Sequence, residues 1–331
     1  MITMITIITI ILYLTISSSS LMISKLHNNY DACIIDQWGV LHNGKIPYNG
    51  AIECLQMLKE NKKRLIMLSN SSKRRSSSFK GLSKVGIDPN LFDDIITSGE
   101  IGHQLLLNRQ LDNLNINSNS NYKLKVFVIG NNDDDIEYVN SANCIITSPD
   151  DADIVLARGT FSILCNDNDS IIKYDNAETL MNNITPWLEK CAEKKLPMLV
   201  TNPDFHRPGS NSPMPGQIGE LYSKYGLPIE YIGKPYPLVY QECMKVLSKN
   251  NINDYSRIVG IGDSLEHDIL GAHKFGIKSI WTCNGVHAAS LGTEEGASIE
   301  PSDENIDRLY KSLESHLGAC RPTHIVPAFN W

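Results

Sequence analysis

Eight cysteines and nine histidines are scattered along the chain with no Cys-x-x-Cys pair and no paired-histidine spacing. That absence argues against a zinc site or a disulfide framework and leaves most of the cysteines as buried reduced thiols in a reducing compartment. Positive charge is also missing. The formal net charge is −7, whereas an electrostatic nucleic-acid binder presents a basic face, so nucleic acid is not an expected partner. Basic residues crowd at Lys73-Arg74-Arg75 with Lys80, which reads either as a solvated first helical turn after a strand or as a substrate clamp. Residues 1–24 carry no charged side chain, the first being Lys25. Yet a basic leading region and a clear small-x-small cleavage site are absent too, and threonine is frequent. An upstream start or an unstructured extension is the reading preferred for this segment, with membrane or secretory targeting by residues 1–24 as the alternative. A start at Met22 would leave fewer than ten residues before the first strand. No internal repeat is visible.

What is present is a chain of 331 residues with 42% apolar content, enough for one large or two moderate domains. Its most informative segment is Asp31-Ala-Cys-Ile-Ile-Asp36-Gln37-Trp38-Gly39. An apolar run of β-formers ends on a carboxylate and passes at once into a glycine-containing turn. In an open parallel α/β sheet this puts Asp36 at the carboxyl end of a buried strand, where such folds bind ligands. Three further segments follow the same pattern. Leu65-Ile-Met-Leu-Ser69-Asn70 ends in a hydroxyl and an amide, Tyr231-Ile-Gly233-Lys234-Pro235 in a lysine, and Ile258-Val-Gly-Ile-Gly262-Asp263 opens an acidic cluster that reaches Asp268.

Between these points, periodicity predicts helices over 49–61, 76–85 and from a cap at Ser98 through Leu107, separated by strands at 64–68 and 92–97. Strands alternating with helices imply right-handed βαβ units and a parallel sheet. Residues 108–121 are Asn-rich and poor in apolar side chains, hence a loop or linker. A second series follows: strands at 124–129, 143–147 and 154–157, an Asn/Asp-rich surface loop at 166–176, a helix over 177–194 and a strand at 198–201. The core resumes near Tyr231 with a helix over 237–247, a strand at 257–261, a helix over 268–275 stopped by Gly276, and a strand at 278–282.

Carboxylate, hydroxyl, lysine and paired carboxylates, in that order at strand ends, resemble the ordered motif set of the haloacid dehalogenase-like (HAD) superfamily. The insertion between the second and third motifs, the Gly233-Lys234-Pro235 third motif and Val200-Thr-Asn202-Pro203-Asp204 inside the insertion resemble its class IIA branch. Asp36-Gln-Trp-Gly-Val-Leu-His42 and the closing Val326-Pro-Ala-Phe-Asn-Trp331 are similar to a subgroup of that branch with Asp-Gln-Trp-Gly-Val as its first motif. The fold implied is α/β: a Rossmann-like three-layer core with a parallel sheet, plus an inserted α/β cap. The division expected is an N-terminal extension over 1–26, core over 27–103, cap over 104–228 and core again over 229–331.

The resemblance implies a Mg²⁺-dependent, cytoplasmic phosphohydrolase acting on a small phosphorylated metabolite, with a homodimer through the cap as a further arrangement it allows. A carboxylate is already ionised at neutral pH, so Asp36 can attack phosphorus directly, and Mg²⁺ takes hard oxygen ligands. The implied ligands are Asp36, the Trp38 backbone carbonyl, Asp263 and Asp268. Lys234 would offset phosphoryl charge, Ser69 would hydrogen-bond the phosphoryl group, and Asn70 would position substrate or the Asp36 loop. Asn202, Asp204 and Arg207 of the cap would contact substrate. Read alone, Gly262-Asp263 is also a turn with a helix cap, Lys234 a surface lysine, and the Arg207 segment a Pro-flanked surface loop. A glycan at the sequon Asn70-Ser71-Ser72 would block such a site, which opposes secretion.

One position departs from the pattern. Family phosphatases carry a second aspartate two residues after the first, which protonates the leaving oxygen; here it is Trp38. His42 and His267 are nearby substitutes, each also readable as a polar turn residue. The departure keeps two other readings open: a catalytically weak module that binds phosphate esters or protein, and a dehalogenase-type hydrolase, whose motif Asp-x-Tyr-Gly-Thr also has an aromatic residue there.

Overall fold

Strand β1 (Ala32–Ile35) is buried along its whole length. It lies between β2 (Arg64–Ser69) and, from the far end of the chain, β11 (Ile258–Gly262), and Ile34 stands in register with both Ile66 and Gly260. The computed structural model describes residues 21–116, 122–132, 134–165 and 171–331. With β3 (Asp94–Thr97), β12 (Lys278–Thr282) and β13 (His324–Val326), these strands make a six-stranded, all-parallel sheet in the order β13-β12-β11-β1-β2-β3. Alternation along the strands sends side chains to two faces. Cys33, Ile35, Leu65, Met67 and Ile261 meet Cys54, Leu55 and Leu58 of the helix Ala51–Glu60. Ile34, Ile66 and Leu68 meet Val239, Tyr240, Cys243 and Leu247 of the helix Pro237–Lys249. The core is therefore a three-layer helix–sheet–helix sandwich, as the alternating pattern implies.

The insertion builds its own sheet from β4 (Leu124–Gly130), β5 (Cys144–Ile146), β6 (Ile154–Ala157), β7 (Ser162–Leu164), β8 (Ile171–Lys173), β9 (Met198–Val200) and β10 (Ile229–Tyr231). The order is β10-β9-β6-β4-β7-β8, with β5 beside β4. A separate apolar cluster, including Phe127, Val155, Leu188, Met198 and Tyr222, fills its helix-covered face. Cap and core meet where the Tyr138 hydroxyl donates to the Gly99 carbonyl (2.6 Å) and His103 Nε2 lies 2.9 Å from Ser141 Oγ. There the wholly buried Arg158, held by Asp134 and Asp135, also reaches the Ser72 carbonyl.

Several details differ from the expectation. The helix over 177–194 is two helices, Ala177–Asn183 and Thr185–Glu193, because Pro186 removes a backbone donor and restarts the second at its own first turn. The helix Ser98–Asn108 is capped by Thr97, whose hydroxyl accepts the Glu100 N–H, rather than by Ser98. Part of the expected loop at 166–176 is strand β8, antiparallel to β7. Strand β10, expected to reopen the core, pairs with β9 of the cap, so the chain leaves the cap sheet only after Tyr231. The N-terminal segment over 1–20 lies outside the described residues, as do 117–121 and 166–170. Among the described residues, no helix is long and apolar enough to cross a membrane.

Candidate active site

Three adjacent strands, β2, β1 and β11, end side by side; β2 ends on Ser69 and is followed by Asn70, and β1 and β11 are followed by Asp36 and Asp263. Asp36 extends the ladder by one rung, its N–H donating to the Ile261 carbonyl at 2.9 Å. The turn after it is possible because Gly39 takes φ +81°, and a Cβ there would collide with the Asp263 carboxylate. Asp263 also accepts the Val286 N–H at Oδ2 (2.6 Å). Asp268 lies on the helical turn Leu265–Ile269 and is fixed by the Ser264 N–H at 3.1 Å. Asp36, Asp263 and Asp268 each offer an oxygen, all within 4.8 Å of one another.

Lys234 enters this cluster from the loop after β10, and the Lys234–Pro235 bond that follows it is cis. Its Nζ lies 2.6 Å from Asp36 Oδ1 and 2.7 Å from Asp268 Oδ1. Burial opposes its charge, but the Asp268 and Asp36 carboxylates outweigh burial and raise its pKa above the usual lysine range. Burial, together with Asp36 and Asp268, pushes Asp263 well up from the ordinary carboxylate value. Burial likewise raises Asp36, with the Asp268 charge adding to it and Lys234 opposing. Two buried carboxylates and the partly exposed Asp36, facing one ammonium, are short of positive charge. A hard divalent cation fits this deficit, with Asp36, Asp263 and Asp268 as its side-chain ligands.

Ser69 is buried beside the cluster, its Oγ accepting the Ser71 N–H at 3.3 Å. Asn70 is occupied by protein. Its Oδ1 accepts the Lys234 N–H (2.7 Å), and its Nδ2 donates to the Lys234 carbonyl (3.1 Å) and to Asp204 Oδ1 (2.7 Å). The amide thus holds the Lys234 loop, not the Asp36 loop, and it is the sequon asparagine, 6% exposed. Asn202 shapes the cap loop by accepting the Asp204 N–H at Oδ1. Arg207 is exposed, with its guanidinium 5.3 Å from the centre of the Phe161 ring of the cap.

The Trp38 indole packs against Gly44 and meets the His42 ring edge-on at 5.7 Å. His42 has both nitrogens engaged: Nδ1 accepts the Gly44 N–H (2.8 Å) and Nε2 lies 3.1 Å from the Gln37 amide. Burial pushes its pKa down to about 4, and its two hydrogen bonds make it a strut of the loop. His267 bonds Ser264 Oγ through Nδ1 (3.0 Å), and its Nε2 is 3.6 Å from Asp204 Oδ1. Sequence reading missed the loop after β12, where Gly285 and Val286 close over Asp263. The available signal was a fifth strand of the same parallel sheet running into Asn284-Gly285.

A parallel sheet with a carboxylate, a hydroxyl, a lysine and an acidic pair gathered at its carboxyl edge, beside an inserted α/β cap, defines a class of capped α/β hydrolases. The family described as haloacid dehalogenase-like hydrolase matches residues 33–143, and a second, described as HAD-hydrolase-like, matches residues 231–328. Together they span both parts of the core and more than half of the chain, which belongs to the haloacid dehalogenase-like hydrolases. A protein of Caenorhabditis elegans named as a NipSnap protein is 25% identical over 272 residues. That match takes in 75% of this chain but 47% of the relative, so the chain spans about half the length of the curated relative it matches. A haloacid dehalogenase-like hydrolase from Brucella suis 1330 shares the fold with TM-score 0.69 at 22% identity, over 93% of this chain and 98% of that one. A p-nitrophenyl phosphatase from Archaeoglobus fulgidus does so with TM-score 0.62 at 23% identity, over 91% of this chain and 97% of that one.

Proposed function

We propose that this chain is a Mg²⁺-dependent phosphohydrolase of the class IIA type that acts on a small phosphorylated metabolite. The observation that carries the reading is Lys234 Nζ bridging Asp36 and Asp268 at 2.6 and 2.7 Å, with Asp263 alongside. Phosphoryl transfer asks a protein mainly for positioning and charge neutralisation. Asp36 Oδ would attack phosphorus as the bond to the leaving oxygen breaks, giving an aspartyl-phosphate, and water would then release phosphate and restore the carboxylate. Lys234 would hold Asp36 in place and offset phosphoryl charge, while Ser69 would donate to a phosphoryl oxygen. When bound, the divalent ion supplies the charge neutralisation that lets two anions approach, and the Trp38 carbonyl is proposed as its remaining protein ligand.

A second reading, a catalytically weak module that binds phosphate esters, is favoured by one specific feature: Trp38 carries no transferable proton where an acid is expected. The test is phosphate release from p-nitrophenyl phosphate with Mg²⁺ or EDTA, alongside Asp36→Asn. Release that needs both Mg²⁺ and Asp36 upholds the hydrolase. No release from this activated ester, while Mg²⁺ still binds by calorimetry, overturns it in favour of binding alone.

A further inference from the structure

Four large apolar side chains stand exposed on the loops that carry the site: Trp38 (36%), Ile46 (62%), Phe205 (42%) and Val286 (54%). Each loop is tied to a site residue. Trp38 is two residues beyond Asp36, with its ring on Gly44. Ile46 closes the same short loop, its N–H donating to Asn43 Oδ1 and its carbonyl accepting the Asn43 N–H. Phe205 follows Asp204, whose carboxylate takes the Asn70 amide. Val286 donates its N–H to Asp263. Scattered exposed apolar residues are ordinary, but these four lie on the loops that follow Asp36, bond Asn70 and cover Asp263, where they are available to a ligand of that centre. The chemistry at position 38 points the same way independently. Trp38 has no transferable proton, both His42 nitrogens are engaged by Gly44 and Gln37, and those of His267 face Ser264 and Asp204.

We infer that the site selects phosphate esters of aromatic, weakly basic leaving groups over those of sugars and simple alcohols, with the exposed Trp38 indole as the face on which the aromatic group rests. The inference builds on the phosphohydrolase reading above. In the first step the Asp36 Oδ–P bond forms as the P–O(aryl) bond breaks. The aryloxide departs with the electron pair and takes a proton from water. Water then attacks phosphorus, the P–Oδ bond breaks, and the net change is ester plus water to phenol plus phosphate. An aryloxide leaves without help, whereas an alkoxide needs the absent acid, a group that contributes roughly 10²–10⁴-fold.

The test compares p-nitrophenyl, phenyl and ethyl phosphates in Mg²⁺ with wild type, Trp38→Ala, Trp38→Phe and Trp38→Asp. Wild type should hydrolyse the aryl esters at least ~100-fold faster than ethyl phosphate, which is the lower bound of the missing acid's effect. Trp38→Ala should raise KM for phenyl phosphate ~5–10-fold more than it raises KM for ethyl phosphate, with Trp38→Phe restoring the difference, as loss of an aromatic contact requires. Trp38→Asp should raise the ethyl rate and flatten the dependence on leaving group. Equal rates on aryl and ethyl esters, or a phenyl KM that rises no more than the ethyl KM in Trp38→Ala, overturn the inference and leave the hydrolase reading standing. If no ester turns over, the hydrolase reading falls. Calorimetry with phenylphosphonate against ethylphosphonate then still decides the aromatic preference: tighter phenyl binding, lost in Trp38→Ala, supports it and equal affinities sink it.

Discussion

Asn70 and Asp204, 134 residues apart in the chain, are joined by a 2.7 Å hydrogen bond from Asn70 Nδ2 to Asp204 Oδ1. The same asparagine holds both backbone groups of Lys234. One side chain therefore registers the end of a core strand, the lysine loop and the cap loop against each other. Replacing it with alanine leaves the buried Lys234 N–H without its acceptor, at a cost of about 1–3 kcal/mol. Asn70→Ala should lower both stability and phosphate release, because Lys234 loses its position. Asp204→Ala removes only the cap contact and should spare stability while raising KM. Equal stability losses in the two variants, read by urea unfolding, would show that Asn70 does not act through Lys234.

Lys234 is the ammonium that, among the described residues, sits between the partly exposed Asp36 and the buried Asp268, with Asp263 alongside. Removing one partner of a buried ion cluster strands the others, typically at about 3–5 kcal/mol. Lys234→Met should destabilise the metal-free protein by that order and reduce phosphate release at least ~100-fold by removing electrostatic stabilisation. Unchanged unfolding in EDTA would mean that the lysine does not compensate Asp36 and Asp268.

Gly44 sits at φ +86°, and a Cβ on it would enter the Trp38 ring. Gly44→Ala should therefore carry two costs: about 1–2 kcal/mol of left-handed backbone strain and a steric clash. In a Trp38→Ala background only the first remains, so the double-mutant cycle should return a coupling between the two sites. Identical losses in both backgrounds would dissociate the glycine from the indole.

How much of this was legible in the sequence follows from what each residue depends on. Strands β1, β2 and β11 were readable because their apolar runs end abruptly at Asp36, Ser69 and Asp263, and register in a parallel sheet brings those ends together. The origin of Lys234 was not readable. Strand β10 is three half-buried residues whose pairing with β9 is decided by the tertiary path, so it was assigned to the core. The role of Asn70 was hidden for the same reason: its partners lie 134 and 164 residues away. Pro186 inside the span at 177–194 was a visible breaker whose effect on the helix was not drawn. The substitution at Trp38 was plain in the sequence, but its packing on Gly44 and the apolar loops around it needed coordinates.

His103 provides a pH test of the cap–core contact. It is 2% exposed, its Nε2 meets Ser141 Oγ of the cap, its Nδ1 has no hydrogen-bond partner among the described residues, and its ring stands edge-on to Tyr138. Burial pushes its pKa down from 6.5 to about 4; the positive charges of Arg74 and Arg158 add to the shift, and Glu100 opposes it. The folded protein thus keeps this imidazole neutral, while the unfolded chain protonates it below about 6.5. The unfolded state binds the extra proton, so stability falls as pH drops from 6.5 towards 4 and the loss is complete below the folded value. His42, also held near 4 by burial, acts in the same direction, so one substitution removes only part of the slope. His103→Gln keeps a donor for Ser141 and does not titrate. Between pH 7 and pH 5 its stability in urea should fall by roughly 1–2 kcal/mol less than that of wild type. Equal falls in the two proteins would show that the ring is free to protonate in the folded state and that the cap–core contact opens around it.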